Sequence, residues 1–255
     1  MIMRIRGKYG RLAPRPEVQS RLLRLASYTS SALPAPPPDC DWTPAVTGPW
    51  LNWWNDTLGD CTVETAGHLL MSMSANASAP IIPTAPQILT PYEAVGGYDP
   101  ATGANDDGLV LTDLLDYWGR TGIAGNRIKG YVRLNVNNLN QIKQAIYRFG
   151  GVALGIRMPQ SAEDQFDLGK SWTRTWWPTP IVGGHAVPAL SYTRDGLGVI
   201  TWGEKQGLTW DWYEEYCEEA YAILDLIWLN SRGQTPVGLA LNQLISDLGQ
   251  LPMSA

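Results

Sequence analysis

Cysteine and histidine are scarce: Cys40, Cys61 and Cys217 are the only thiols in 255 residues, and His68 and His185 the only imidazoles. An odd, low cysteine count excludes the disulfide framework of small secreted domains. No cysteine pair has metal-ligand spacing, and two histidines do not make a structural zinc site, so neither a metal nor a cofactor is expected. No run of about 18 apolar residues occurs, so no membrane span is expected. The N-terminus lacks the apolar stretch of a signal peptide, which points to synthesis in a cytosol-like compartment.

Charge of one sign is also missing where a nucleic-acid binder would need it. Residues 1–25 hold seven basic residues and one acid, a net +6, whereas the rest holds 12 basic and 23 acidic residues, a net −11. Nucleic acid is therefore not an expected partner of the body, and the basic arm could meet an acidic partner. What the chain has in quantity is glycine (26), proline (19) and tryptophan (12), with 44% hydrophobic and 17% charged residues. That balance is globular, with long loops and tryptophans as packing anchors.

Residues 1–38 read as an arm: a short amphipathic helix through Val18, Leu22 and Leu25, then a polyproline segment at SALPAPPPD. Helical periodicity follows over 60–73, with Val63, Ala66, Leu70 and Met73 on one face and Asp60 as N-cap. Residues 74–110 read as a long loop, and 112–119 and 138–149 as further helices. Strands are expected at 150–158, 185–193 and 198–203. A helix is expected at 209–219, with Cys217 on its apolar face and Glu214, Glu215, Glu218 and Glu219 on a solvated one. A strand follows at 220–228, and 235–251 has a helical leucine pattern. Helices early and strands late predict an α+β fold of two lobes. The expected organisation is an arm (1–38), a domain over 39–228 with a helical part (about 50–149) and a β part (about 150–228), and a tail with a short helix (229–255).

Cys61 follows Gly59-Asp60 at the head of the 60–73 helix, where the helix dipole favours a thiolate and glycine lets backbone approach. The same position also suits a buried structural cysteine. His68 lies two turns along the helix, roughly 10 Å away, too far to be the base of Cys61. His185 follows Gly183-Gly184 and opens an apolar strand, a sound place to display a base.

The order of these motifs carries more than any one of them. G-D-C-T (59–62), D-D-G-L-V (106–110), the helix-then-strand N-Q-I-K-Q-A-I-Y-R-F-G-G-V-A-L-G-I-R-M (140–158), G-G-H-A-V (183–187) and I-T-W-G (200–203) occur in sequence. Over about residues 50–228 the chain resembles the papain-like cysteine peptidases. The resemblance implies a two-lobed α+β fold, helical lobe then antiparallel β lobe, here with an extended N-terminal arm. It also implies a Cys61–His185 pair acting on a peptide-like substrate. In that family a glutamine six residues before the cysteine donates to the oxyanion; here that place holds Asn55, with Asn52 a weaker candidate. The family's histidine-orienting asparagine is missing. Alignment on Trp202-Gly203 puts Ile200 there, and counting from His185 puts Thr201 there. Tryptophan-rich stretches at 49–54 and 172–178 would wall a groove or anchor the core, and Trp202 would pack near His185.

Two functions follow from the resemblance. One is a thiol hydrolase, a peptidase or amidase, with Cys61, His185, Asn55 and Thr201 as its catalytic set. The other is a catalytically impaired papain-like component of a larger assembly such as a phage virion or tail, with the arm reaching neighbouring subunits. Whether residues 1–38 form a propeptide or an assembly arm stays open at this point.

Overall fold

The computed structural model describes residues 8–29, 34–231 and 240–248. Arg4, Arg6 and both ends of the 235–251 leucine pattern lie outside them. In chain order the strands are β1 (Arg11–Leu12), β2 (Cys40–Asp41), β3 (Leu109–Val110), β4 (Gly130–Arg133), β5 (Val152–Pro159), β6 (Ile181–Tyr192), β7 (Gly196–Thr201), β8 (Glu204–Thr209) and β9 (Cys217–Leu224). The helices are α1 (Pro16–Arg21), α2 (Cys61–Asn76), α3 (Ala85–Gly96), α4 (Leu111–Arg120), α5 (Leu139–Phe149), α6 (Gln160–Asp167), α7 (Trp210–Tyr216), α8 (Leu226–Ser231) and α9 (Leu241–Leu248).

Six strands form an antiparallel sheet in the order β4-β9-β5-β6-β7-β8, and β2 pairs with β6 beside it. Its central strands are buried on both faces, and alternate residues feed two cores. On β9, Ala220, Ala222 and Leu224 join the core shared with α5, α6 and α7, whereas Tyr221 and Ile223 join the core around α2, α3 and α4. The helical lobe therefore packs on the sheet itself. At α2, residues Cys61 to Ser74 are all buried, which makes it the central helix of the molecule.

Local sequence explains most boundaries. α5 starts where the Asn138 side chain accepts from the Gln141 N–H at 3.0 Å, and it stops at Gly150, left-handed at φ 79°. The expected loop over 74–110 instead contains α3. Pro86 stands in the first turn, where a missing N–H costs nothing, and Gln87 Oε1 accepts from the Thr84 N–H (2.9 Å) and hydroxyl (3.1 Å). The expected 209–219 helix stops at Tyr216, so Cys217 opens β9 and is not on a helix face. Glu219 is buried there, not solvated. No disulfide links Cys40, Cys61 and Cys217.

Periodicity does not predict β4, α6 or β8, and the strand expected over 220–228 ends at Leu224, with α8 after it. β8 reads EKQGLT, with neither strict alternation nor β-branched residues before Thr209; its pairing with β7 from Gly196↔Thr209 to Thr201↔Glu204 overrides that weak signal. Among the described residues no helix is long and apolar enough to cross a membrane.

Candidate active site

The loop before α2 is fixed by Asp106. One carboxylate oxygen accepts from the Gly59 N–H at 2.8 Å and from the Tyr92 hydroxyl at 2.6 Å, and the carboxylate also pairs with Lys8. This places Cys61 at the first position of α2, where amides have no i−4 carbonyl to donate to. From the other lobe, β6 lies over the helix head: the Ala186 N–H donates to Cys61 Sγ at 3.4 Å. Ala186 is the residue that follows His185 on β6.

His185 Nε2 meets Thr201 Oγ1 at 2.7 Å, while Nδ1 is buried with no hydrogen-bond partner. The ring stacks on Trp202, with centroids 5.0 Å apart and planes at 20°. Trp202 has φ 48° and Gly203 φ 74°, in the tight turn joining β7 to β8. A left-handed tryptophan costs about 1–3 kcal/mol, and here the strained backbone holds an indole against the imidazole. Ile200, the other residue that alignment offered, faces the helical core.

Asn55 is buried, but its Nδ2 donates to Leu58 O (3.3 Å) and Asp60 Oδ1 (3.2 Å), inside its own loop. His68 is a buried helix residue whose Nε2–H donates to Leu51 O at 2.8 Å, so it belongs to the packing under the loop. Trp172 is buried in the β lobe, whereas Trp176 and Trp177 are exposed.

The site is closed by the chain's own N-terminal segment. Tyr9, Gly10 and Arg11 run between the lobes, and β1 continues them as a parallel partner of β3, with Leu109 N–H donating to Gly10 O at 2.7 Å. Glycines make the passage. A Cβ on Gly10 would lie 1.8 Å from Gly59 O, one on Gly184 would lie 2.2 Å from Arg11 O, and one on Gly183 would lie 2.6 Å from the Tyr9 side chain. These glycines are required for close approach. The Gly10 backbone also favours the Cys61 thiolate. The Tyr9 ring stands edge-on to His185 at 5.7 Å, and its hydroxyl donates to Glu163. Arg11 is buried, paired with Glu219 at 2.8 Å and with Glu218.

This closure sets the protonation state. Burial pushes the Cys61 thiol up to about 12, against the pull of the Ala186 N–H and the Gly10 backbone, and the Asp60 and Glu64 carboxyls add to the rise. Burial drives His185 down to about 3, and the nearby Arg11 charge lowers it further. Asp60 is raised to about 8, chiefly by burial. Glu64 is raised by burial and by Asp60. In this closed state Cys61 is therefore held as a thiol and His185 as a neutral imidazole at neutral pH. Residues that sequence reasoning did not single out here are Tyr9, Gly10, Arg11, Asp106 and Glu219. The available signal was the set of glycines at 59, 108, 155, 183 and 184, which look like separate turns until the lobes are brought together.

No protein-family model matches the sequence, and no curated protein gives a significant sequence match. Solved structures do match. Xylellain, a cysteine protease from Xylella fastidiosa, superposes with TM-score 0.66 at 12% identity, over 89% of this chain and 99% of that one. Procathepsin L2 from Tenebrio molitor gives 0.58 at 14%, over 85% and 78%. The Carica candamarcensis cysteine protease CMS1MS2, solved with E-64, gives 0.55 at 13%, over 74% and 99%. At such identities the likeness is one of fold: the chain has the two-lobed α+β papain-like fold, divergent in sequence, with Cys61 in one lobe and His185 in the other.

Proposed function

We propose that the chain is a latent thiol hydrolase, a peptidase or amidase, whose groove is filled by its own residues Tyr9–Arg11. One observation carries the reading. A cysteine at a helix head receives an N–H from the residue beside a buried histidine, whose Nε2 is engaged by Thr201 while Nδ1 has no partner. With Nε2–H donated to Thr201, Nδ1 carries the lone pair a general base needs.

Once the segment withdraws, water reaches the site and the burial that separates the two groups is relieved. His185 takes the Cys61 proton, and the thiolate attacks an amide carbonyl to form the S–C bond. Amides at the head of α2 face the developing oxyanion. Asn55 contributes there if its side chain leaves Leu58 and Asp60. The C–N bond breaks as His185 returns the proton to the departing amine. Water then cleaves the thioester, giving a carboxylic acid and the thiol. The Tenebrio molitor protein matched in fold is, by name, a proenzyme, and a covered groove suits the same style of control here.

The test uses peptide amides and the full-length chain carrying Gly10→Leu, which cannot seat its segment against Gly59. Adding Cys61→Ala or His185→Ala is expected to abolish turnover, and Thr201→Val to lower it about tenfold to hundredfold. Turnover that survives either alanine refutes the assignment. No turnover in any variant favours the catalytically impaired assembly component.

A further inference from the structure

Arg11 does more than fill space. Its side chain is 3% exposed and that of Glu219 is 1% exposed, so the ion pair is sealed inside the groove, one residue from Gly10, which packs against Gly59 in the loop before Cys61. The pocket that holds it is built for a long cationic side chain. A Cβ on Gly155 would lie 2.5 Å from Glu219 Oε1 and 2.8 Å from Arg11 Cδ, and one on Gly184 would lie 3.3 Å from Arg11 Nε. Both glycines leave room that any other residue would take. Tyr221 donates its hydroxyl to Glu219, orienting the carboxylate, and itself receives from Gln19.

The consequence appears when the segment leaves. Glu218 is one-third exposed and keeps Arg157 at 3.2 Å. Among the described residues Glu219 then keeps only the Tyr221 hydroxyl, and a buried carboxylate without a cation is strongly disfavoured. Arg24 and Arg133 line a cavity of about 410 Å³ that borders both glutamates, but among the described residues neither makes an ion pair with them. With Arg11 gone, the pocket as it stands therefore holds a buried carboxylate with no cation among the described residues.

We infer that Glu219, with Glu218, Gly155 and Gly184, forms a specificity pocket that takes an arginine or lysine side chain of the substrate near the scissile carbonyl, and that Arg11 is its internal occupant in the latent chain. This rests on the hydrolase reading for its link to turnover, but not for its link to binding.

Two full-length variants test it: Arg11→Ala, which empties the pocket, and Gly10→Leu, which expels the segment with both glutamates intact. The first readout is binding of N-acetyl-arginine amide against the uncharged isostere N-acetyl-citrulline amide, by calorimetry and thermal shift. At least about tenfold tighter binding of the arginine compound is expected, as for a charge-assisted hydrogen bond to a buried carboxylate. Adding Glu219→Gln should erase the preference. Should Arg11→Ala fold poorly, arginine amide restores its melting transition and citrulline amide does not. The second readout is turnover of peptide amides in which arginine, lysine, citrulline or leucine is scanned along the sequence. Equal binding of the two amides overturns the inference, as does a preference that survives Glu219→Gln. Turnover without basic preference overturns it while leaving the hydrolase standing. Cation-selective binding without turnover sustains the pocket and refutes the hydrolase.

Discussion

At the scale of single residues, burial governs the chemistry. Two imidazoles, His68 and His185, are held near 3 against an ordinary 6.5, and Asp60 is raised to about 8 from 3.8. The signs oppose. Each histidine binds a proton more readily when unfolded, so its contribution is present above about 6.5 and is lost as pH falls toward 3. Asp60 binds its proton more readily when folded, so its contribution is present below about 3.8 and is lost as pH rises toward 8. Removing one imidazole by His68→Gln should therefore make the change in unfolding free energy from pH 7 to pH 5 about 2 kcal/mol more favourable to pH 5. Asp60→Asn should shift it the other way. Urea unfolding at both pH values measures this, and identical pH responses in wild type and both variants would refute the assignment. Much of this scale was legible beforehand. Counting sixteen residues from His185 leads to Thr201, and the two side chains meet at 2.7 Å. The closed protonation state was not legible, because it depends on which segment covers the pair.

At the scale of elements, glycines and one ion pair decide how the arm lies. Arg11 joins a strand of two residues to β9, some two hundred positions along the chain. Truncating one partner of such a buried pair costs about 3–5 kcal/mol, because the other charge stays behind. Arg11→Ala should lower the unfolding free energy by that order. Arg11→Ala with Glu219→Gln should recover part of it, since the stranded charge is gone. A double variant no more stable than Arg11→Ala would show that Glu219 is not the dependent partner. The sequence pattern misplaced this contact for a physical reason. WDWYEEYCEE has helical spacing throughout, yet pairing with β5 converts it to strand at Cys217 and turns Glu219 inward. α3 was hidden by its prolines, although Thr84 and Gln87 mark its start.

At the scale of the whole molecule, the order of helix and strand motifs pointed to the two-lobed fold, although the lobes interleave in sequence: β4 from the helical part pairs with β9, and α5 packs in the β-side core. The closure was not readable. It requires Gly59 and Gly108 from one lobe and Gly183 and Gly184 from the other to face the same three residues of the arm. Beyond the groove the described part of the arm contacts its own body: Gln19 reaches Tyr221, Leu23 O accepts from the Arg133 N–H at 2.9 Å, and Pro34 O accepts from Gln144 at 2.7 Å. In the proposed reading latency is a property of the folded chain, and the decisive measurement is the reactivity of one sulfur. Iodoacetamide labelling of full-length protein across pH 5 to 10, resolved by peptide mapping to Cys61, Cys40 or Cys217, compares wild type with Gly10→Leu. The account predicts that wild-type Cys61 stays unlabelled through neutral pH, as a buried thiol at about 12 must, while Gly10→Leu exposes a Cys61 that labels well below pH 8. Equal labelling of Cys61 in the two proteins at neutral pH would contradict it.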